Sequence, residues 1–187
     1  MQKTEIALSK AKLSKLLFFC VLFVACGLWI IIKDPQTSNP IFGNIIVKTF
    51  AAYGSVLMGL LGIYFFSVKL FDKKPGIILD ENGIYENASA FKFGFIPWSD
   101  ISGVYERTVQ VSASKQHFVT LRLVDPEKYI GRETNAIKKK LMRVNANSYG
   151  SPVHISANGL KTNQRELLAL VEKYFNQSQH NITETHD

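Results

Sequence analysis

The side chains that could carry out metal or nucleophilic chemistry are scattered along the chain. The four histidines are His117, His154, His180 and His186. None of them has an HxxxH or cysteine partner, so their spacing does not predict a metal site. Residues 149–152 (Tyr-Gly-Ser-Pro) superficially resemble a nucleophile turn, but proline stands where the following helix should begin. Because GxSxG, Walker and GxGxxG motifs are also absent, we expect no enzyme, no catalytic residue, no cofactor and no metal.

The positive charge is concentrated in the first part of the chain. The net charge is +7, and residues 1–74 contain nine lysines against three acidic residues. Basic proteins often bind nucleic acid because their cations neutralise phosphates. Here nearly all of the excess flanks two apolar segments, which is where membrane topology places it. We therefore expect membrane lipid as a partner, and no nucleic acid.

Two apolar segments predict membrane-spanning helices at about 16–32 and 50–68. Each approaches the ~20 residues that cross a bilayer, and the polar, proline-containing segment 33–40 between them predicts a hairpin. A cleaved signal or lipid anchor at Cys26 is the weaker interpretation, since the apolar run continues to residue 32. Lysines before the first helix and after the second place both termini in the cytoplasm.

Small residues recur every four positions in the second predicted span. Ala51, Ser55 and Gly59 would form a strip on one helix face, and such strips allow two helices to approach closely. The sequence leaves two partners for this strip. It packs either within the hairpin or against another molecule, in which case it would build a homo-oligomer.

Short β segments separated by turns dominate the chain after residue 74. Residues 77–80 and 84–86 flank Asn-Gly and predict a tight hairpin, and further strands are predicted at 91–96, 104–111, 117–124 and 153–155. A helix is predicted from 163 to about 175, with Leu167, Leu170, Val171 and Tyr174 packing on the sheet. The polar tail 177–187 is expected to be disordered.

This order of antiparallel strands and one final amphipathic helix resembles a bacterial PH-like domain. The resemblance depends on Gly83-Ile84-Tyr85, on the segment 96–101 (Ile-Pro-Trp-Ser-Asp-Ile) and on the helix 167–174. It implies an α+β fold, with a transmembrane hairpin (1–74) followed by a β-sandwich or barrel (75–176) that a C-terminal helix closes. It is similar to small proteins of the bacterial inner membrane, and it implies a binding or scaffolding module. Within the motif, Trp98 and Ile101 are interpreted as core residues and Asp100 as a cap of its turn.

A basic insertion at 125–147 departs from the simplest PH-like pattern. Within it, 134–144 predicts a helix with Ile137, Leu141 and Val144 on one side. The candidate contacts for lipid or a partner lie towards the other side: Lys138, Lys139, Lys140 and Arg143. A basic amphipathic helix can lie on anionic lipid. The alternative is a solvated helix whose Ile137 and Leu141 pack on the sheet.

Three functions remain open from the sequence. The first is a membrane-anchored interaction or scaffolding module that binds a protein partner and anionic lipid headgroups. The alternative is an immunity or protective membrane protein that binds a toxin through its hairpin. A transporter or channel subunit is disfavoured because the predicted spans contain no ionisable residue of the kind that lines such pathways.

Overall fold

The chain divides into two compact units. The computed structural model describes residues 2–41, 43–111 and 114–184. One unit is the hairpin Lys10–Lys73, and the other combines Met1–Ser9 with Lys74–Asp187. We call the second unit the mixed unit, because it contains both sheets and three helices.

The hairpin unit consists of two long apolar helices. Helix α1 spans Lys10–Lys33 and α2 spans Ile45–Phe71, and both are long and apolar enough to cross a membrane. Each extends beyond its predicted apolar core because the flanking residues, lysines among them, continue the helical turns. Asn44 begins α2 by accepting hydrogen bonds from the backbone N–H groups of Ile46 and Val47. Most large apolar side chains of both helices are exposed, as expected for surfaces that lipid would cover.

The mixed unit contains two antiparallel sheets. The first has the order β1-β2-β3-β4, with strands Thr4–Ile6, Ile77–Leu79, Gly83–Glu86 and Gly94–Pro97. The second has the order β5-β6-β7, with strands Ile101–Val111, Ser114–Leu123 and Val153–Ile155. Helices α3 (Pro126–Ile130) and α4 (Ala136–Tyr149) lie between β6 and β7 in the chain, and α5 (Gln164–Glu184) follows. The α+β class, the first hairpin and the C-terminal helix are thus confirmed.

The N-terminal segment, which the sequence predicted to be a tail of the hairpin, differs most from its prediction. Residues 4–6 form the edge strand β1, in which Glu5 pairs with Ile78 and Ile6 with Ile77. Ile6 is buried, so the segment gains hydrophobic contact as well as ladder hydrogen bonds. A three-residue strand is too short to give a period-two signal, which is why the sequence did not show it.

The strand predicted at 91–96 begins later than expected, because a buried carboxylate forms hydrogen bonds with the loop that precedes it. Glu86 is fully buried, and its carboxylate accepts hydrogen bonds from the N–H groups of Ser89 (2.5 Å) and Phe93 (3.1 Å). These amides are therefore unavailable to a β ladder. Pairing with β3 starts at Gly94, which stands opposite Glu86.

Apolar side chains of both sheets and of α5 form the core of the mixed unit. Trp98 is buried as predicted, and its Nε1 donates to the carbonyl of Asp80 at 2.9 Å. Leu167 and Val171 of α5 are fully buried, and each such side chain stabilises the fold by about 1.5–3 kcal/mol. The tail predicted to be disordered from 177 is helical to Glu184, and Ser178 is buried within it. Residues 185–187 of that tail lie outside the described residues.

Candidate functional site

The basic insertion folds into α3 and α4, and α3 is fixed at both of its ends. Asp125 precedes Pro126 and accepts hydrogen bonds from the N–H groups of Glu127 (3.0 Å) and Lys128 (3.3 Å). Proline suits the first helical position because its missing N–H would have no partner there. Tyr129, near the other end of α3, is buried. Both ends of α3 are therefore anchored in the fold.

Asp100 attaches α3 to the sheets. Its carboxylate accepts a hydrogen bond from Lys128 Nζ at 2.6 Å and another from the Tyr129 hydroxyl. These bonds, that from Lys128 first, hold the pKa of Asp100 below its ordinary value. The prediction that Asp100 caps its own turn is wrong, because two side chains 28 and 29 residues away reach the carboxylate instead.

Helix α4 is also fixed at both ends. Asn135 accepts hydrogen bonds from the N–H groups of Ile137 (3.0 Å) and Lys138 (3.1 Å). Gly150 ends the helix with φ of 76°, a left-handed conformation that glycine adopts without steric cost. Both termini thus carry residue types that start or stop a helix.

The C-terminal carbonyl of α4 is held by two strand side chains. The Tyr149 carbonyl accepts hydrogen bonds from the Tyr105 hydroxyl (3.3 Å) and from Arg107 Nη1 (3.4 Å), and the Arg107 guanidinium stacks over the Tyr149 ring at 4.4 Å. A cation at this end also interacts favourably with the helix dipole. Tyr105 and Arg107 lie two residues apart on β5 and so project from the same face of the sheet.

His154 of β7 completes this arrangement, which we call the α4 clamp (Tyr105, Arg107, Tyr149 and His154). Its ring meets the Tyr149 ring edge to face at 5.7 Å, and its Nδ1 lies 2.8 Å from the Thr120 hydroxyl. Burial lowers the pKa of His154, and the nearby Arg107 charge lowers it further. The imidazole is therefore neutral at pH 7. The sequence did not predict the α4 clamp, because its members come from β5, α4 and β7. Only the i, i+2 spacing of Tyr105 and Arg107 was visible in the sequence.

Three large apolar side chains of α4 are exposed to solvent. Ile137 is 73% exposed, Leu141 50% and Val144 49%, whereas Met142 is buried at 3%. The alternative in which Ile137 and Leu141 pack on the sheet is wrong. We call Ile137, Leu141 and Val144 the apolar stripe, since their i, i+4, i+7 spacing places them along one helix face.

Two of the four predicted basic contacts flank this stripe. At about 100° per residue, Lys138 and Lys140 fall on its opposite sides, where Lys140 is exposed and Lys138 is half-buried. Lys139 falls on the packed side of the helix and is half-buried. Arg143 turns to α3, where its Nη2 pairs with Glu127 Oε2 at 2.9 Å. Helix α4 contains no acidic residue, so the charged groups that flank the stripe are both positive.

The small-residue strip of α2 lies partly at its contact with α1. Ser55 and Gly59 are buried, whereas Ala51 is exposed and the neighbouring Ala52 is buried in its place. A Cβ added at Gly59 would lie 3.0 Å from the carbonyl oxygen of Cys20, and one added at Gly27 would overlap Ser55. Ser55 and Gly59 thus contact a helix of the same hairpin.

Comparisons with known proteins give no further constraint on this surface. No protein-family model, no curated protein and no solved structure matches the chain. Among the described residues, no three His, Cys, Asp or Glu side chains form a group that could hold a metal ion.

Proposed function

We propose that this chain is a membrane-anchored, PH-like interaction module whose α4 rests on anionic lipid at the cytoplasmic face of the bacterial inner membrane. A four-stranded and a three-stranded antiparallel sheet followed by one helix support the PH-like part of the proposal. In this role the module binds lipid headgroups together with a protein partner.

The pairing of β1 with β2 supports a hairpin that crosses the membrane twice. Strand β1 precedes α1 and β2 follows α2, yet the two strands are adjacent in one sheet. Chain segments that pair in this way must lie on the same side of a membrane, so an even number of crossings separates them. Flanking lysines then favour the cytoplasmic side.

The exposed apolar stripe of α4 carries the lipid proposal. Three aliphatic side chains that water solvates in the described fold would gain hydrophobic free energy at the acyl-chain boundary, at about 25 cal/mol per Å² of buried area. Lys138 and Lys140 flank the stripe, and each contributes ~1 kcal/mol beside anionic lipid. Lysine at such flanks can also extend its ammonium to the headgroups while its methylenes stay in contact with apolar groups.

Short connections between the hairpin and the mixed unit allow these modest energies to hold α4 at the membrane surface. Only residues 72–76 separate α2 from β2, and only residues 7–9 separate β1 from α1. A tether of this length keeps the mixed unit at high effective concentration near the bilayer. A weak surface contact then fixes how the module faces its protein partner.

An environment-sensitive dye at position 141 tests this function. The full chain, with Cys20 and Cys26 replaced by alanine and Leu141→Cys labelled with NBD, is placed in nanodiscs of phosphatidylcholine with or without 30% phosphatidylglycerol. We expect blue-shifted emission in the anionic discs, and a loss of that shift with Lys138→Gln and Lys140→Gln. Lys115→Gln, on the exposed start of β6, is the control for removal of a lysine away from α4. Emission typical of water in both disc types would contradict the lipid contact.

A further inference from the structure

We propose that the groove between β1 and α5 binds an extended, acidic peptide segment, which adds as a strand to the free edge of β1. This inference rests on the proposed function, because it identifies where and by what chemistry the module takes its protein partner. Strand addition to an exposed sheet edge is a general mode of peptide recognition, in which main-chain hydrogen bonds supply much of the affinity.

The free edge arises where the chain leaves the sheet. Just after β1, the Ser9 N–H donates to the Gly159 carbonyl (2.8 Å) and the Lys161 N–H donates to the Ala7 carbonyl (2.9 Å). Leu8 and Leu160 form the bridge between these two bonds. Beyond Lys161 the chain turns into α5 instead of continuing along β1. Segment 159–161 therefore leaves uncovered the part of the β1 edge that precedes Ala7.

Strand geometry directs the backbone N–H and C=O groups of Glu5 toward this uncovered part of the edge. Successive residues of a strand direct their N–H and C=O groups to opposite edges. The Ile6 carbonyl accepts from the Gly76 N–H (2.9 Å), on the side of β2, whereas Ala7 and Ser9 bond to segment 159–161 on the other side. Glu5 alternates with Ile6 and so directs its backbone groups to the same edge as Ala7 and Ser9.

Helix α5 forms the second wall of the groove. The Tyr174 hydroxyl bonds to the Gln2 carbonyl and lies 2.6 Å from the Thr4 hydroxyl, so α5 runs beside the start of β1. The cavity has a volume of about 670 Å³. Residues from both walls line it: Glu5, Ile6, Ala7, Lys161, Thr162, Glu166, Ala169, Leu170 and Lys173.

The length of the groove suits a short peptide. The stretch of α5 from Glu166 to Lys173 spans roughly 10 Å at ~1.5 Å per residue. An extended segment rises ~3.3 Å per residue, so about three residues fit alongside. Ala169 and Leu170 provide apolar contact for side chains that point to the helix.

Lysines outnumber the acidic side chains in and beside the groove. Glu5 pairs with Lys3 at 2.7 Å, and Glu166 accepts from the Thr162 hydroxyl at 3.0 Å. Lys161 and Lys173 have no ion pair among the described residues. Both carboxylates keep their charge, but Lys3 balances Glu5, and Lys161 and Lys173 together outnumber Glu166. An acidic segment complements this excess of positive charge.

Fluorescence anisotropy with defined peptides tests the proposal on the full chain in nanodiscs. The probe is a fluorescein-labelled hexapeptide of alternating valine and glutamate. Its controls are the same peptide with lysine in place of glutamate and a version N-methylated on alternate amides. We expect the valine-glutamate peptide to bind at least tenfold more tightly than either control. Lys161→Glu with Lys173→Glu should abolish its binding, whereas Lys115→Glu should leave it unchanged.

A second variant distinguishes a blocked groove from loss of folding as the cause of lost peptide binding. Ala169 is exposed on α5, so Ala169→Trp fills the groove without altering the core. We expect this variant to lose peptide binding while keeping its unfolding midpoint. Absence of binding by the valine-glutamate peptide, or binding that neither the Lys161 and Lys173 reversals nor Ala169→Trp reduces, would overturn the proposal. The emission of NBD at position 141 in the same discs reports the lipid contact separately, so failure of one proposal is distinguishable from failure of the other.

Discussion

Helices α4 and α5 belong to the same unit and have similar apolar spacing, yet they use it in opposite ways. In α5, Leu167 and Val171 are fully buried. In α4, Ile137 and Leu141 have the same i, i+4 separation and are 73% and 50% exposed. Periodicity therefore identifies an apolar face without determining what that face contacts. The other contacts of the helix determine whether that face points to the core or to the surface.

Those other contacts differ clearly between the two helices. Helix α5 packs through its apolar face, and the Tyr174 hydroxyl adds polar contacts to Gln2 and Thr4. Helix α4 is held by Met142, by the Arg143–Glu127 pair and by the α4 clamp at its C-terminus. Because Met142 and these polar contacts hold α4 from its other sides, its apolar stripe stays outward.

The largest expected effect comes from truncating the buried stripe of α5. Leu167→Ala should lower the free energy of unfolding by about 2–5 kcal/mol, since it leaves a cavity in the core. The matched change Leu141→Ala in α4 should alter it by less than about 0.5 kcal/mol, because that side chain is half exposed. Urea unfolding followed by Trp98 fluorescence in a Trp29→Phe background measures both. Equal losses would contradict the contrast between the helices.

A smaller effect is expected where α3 is attached. Asp100→Asn should cost about 1–2 kcal/mol at pH 7, because the Lys128 ammonium loses its ionised partner. The pKa of Asp100 is lowered in the fold, so this stabilisation is present above the ordinary carboxyl pKa and is lost as pH falls through the folded value. The difference between the two proteins should therefore shrink below about pH 4. A difference that stays constant from pH 7 to pH 3 would assign the loss to packing.

The smallest expected effect concerns pH and the α4 clamp. The pKa of His154 is lowered in the fold, so the unfolded chain takes up a proton first as pH falls below about 6.5. The clamp should therefore weaken between pH 7 and pH 5, and amide hydrogen exchange in 136–149 should speed up beyond the intrinsic change. His154→Phe keeps an aromatic ring against Tyr149 and cannot be protonated, so it should remove this acceleration. Its persistence in the variant would assign it to another group.

The sequence predicted the parts of the fold that local patterns encode. Asn82-Gly83 marked the first hairpin, and the spacing of Leu167 and Val171 marked the packed face of α5. Strand β1 was missed because three residues are too few for a pattern. The role of Asp100 was wrong because its partners lie in a helix that folds back from 28 residues away.

The candidate surface was predicted only in part for the same reason. The composition of α4 indicated a basic amphipathic helix, but its orientation depends on Tyr105 and Arg107, which are more than 40 residues from Tyr149. Helical periodicity alone places Lys138 and Lys140 beside the stripe, but the exposure of the stripe and the pairing of Arg143 with Glu127 depend on contacts that the sequence does not reveal.

Spin-label accessibility along α4 tests most directly whether the apolar stripe contacts lipid. Single labels at 137, 141 and 144, with a matched label at the exposed Lys115 of β6, are compared in the full chain in anionic nanodiscs. We predict that collisions with oxygen, which concentrates in lipid, dominate at 137, 141 and 144, and that collisions with aqueous nickel chelate dominate at 115. Aqueous accessibility at all four positions would contradict the account.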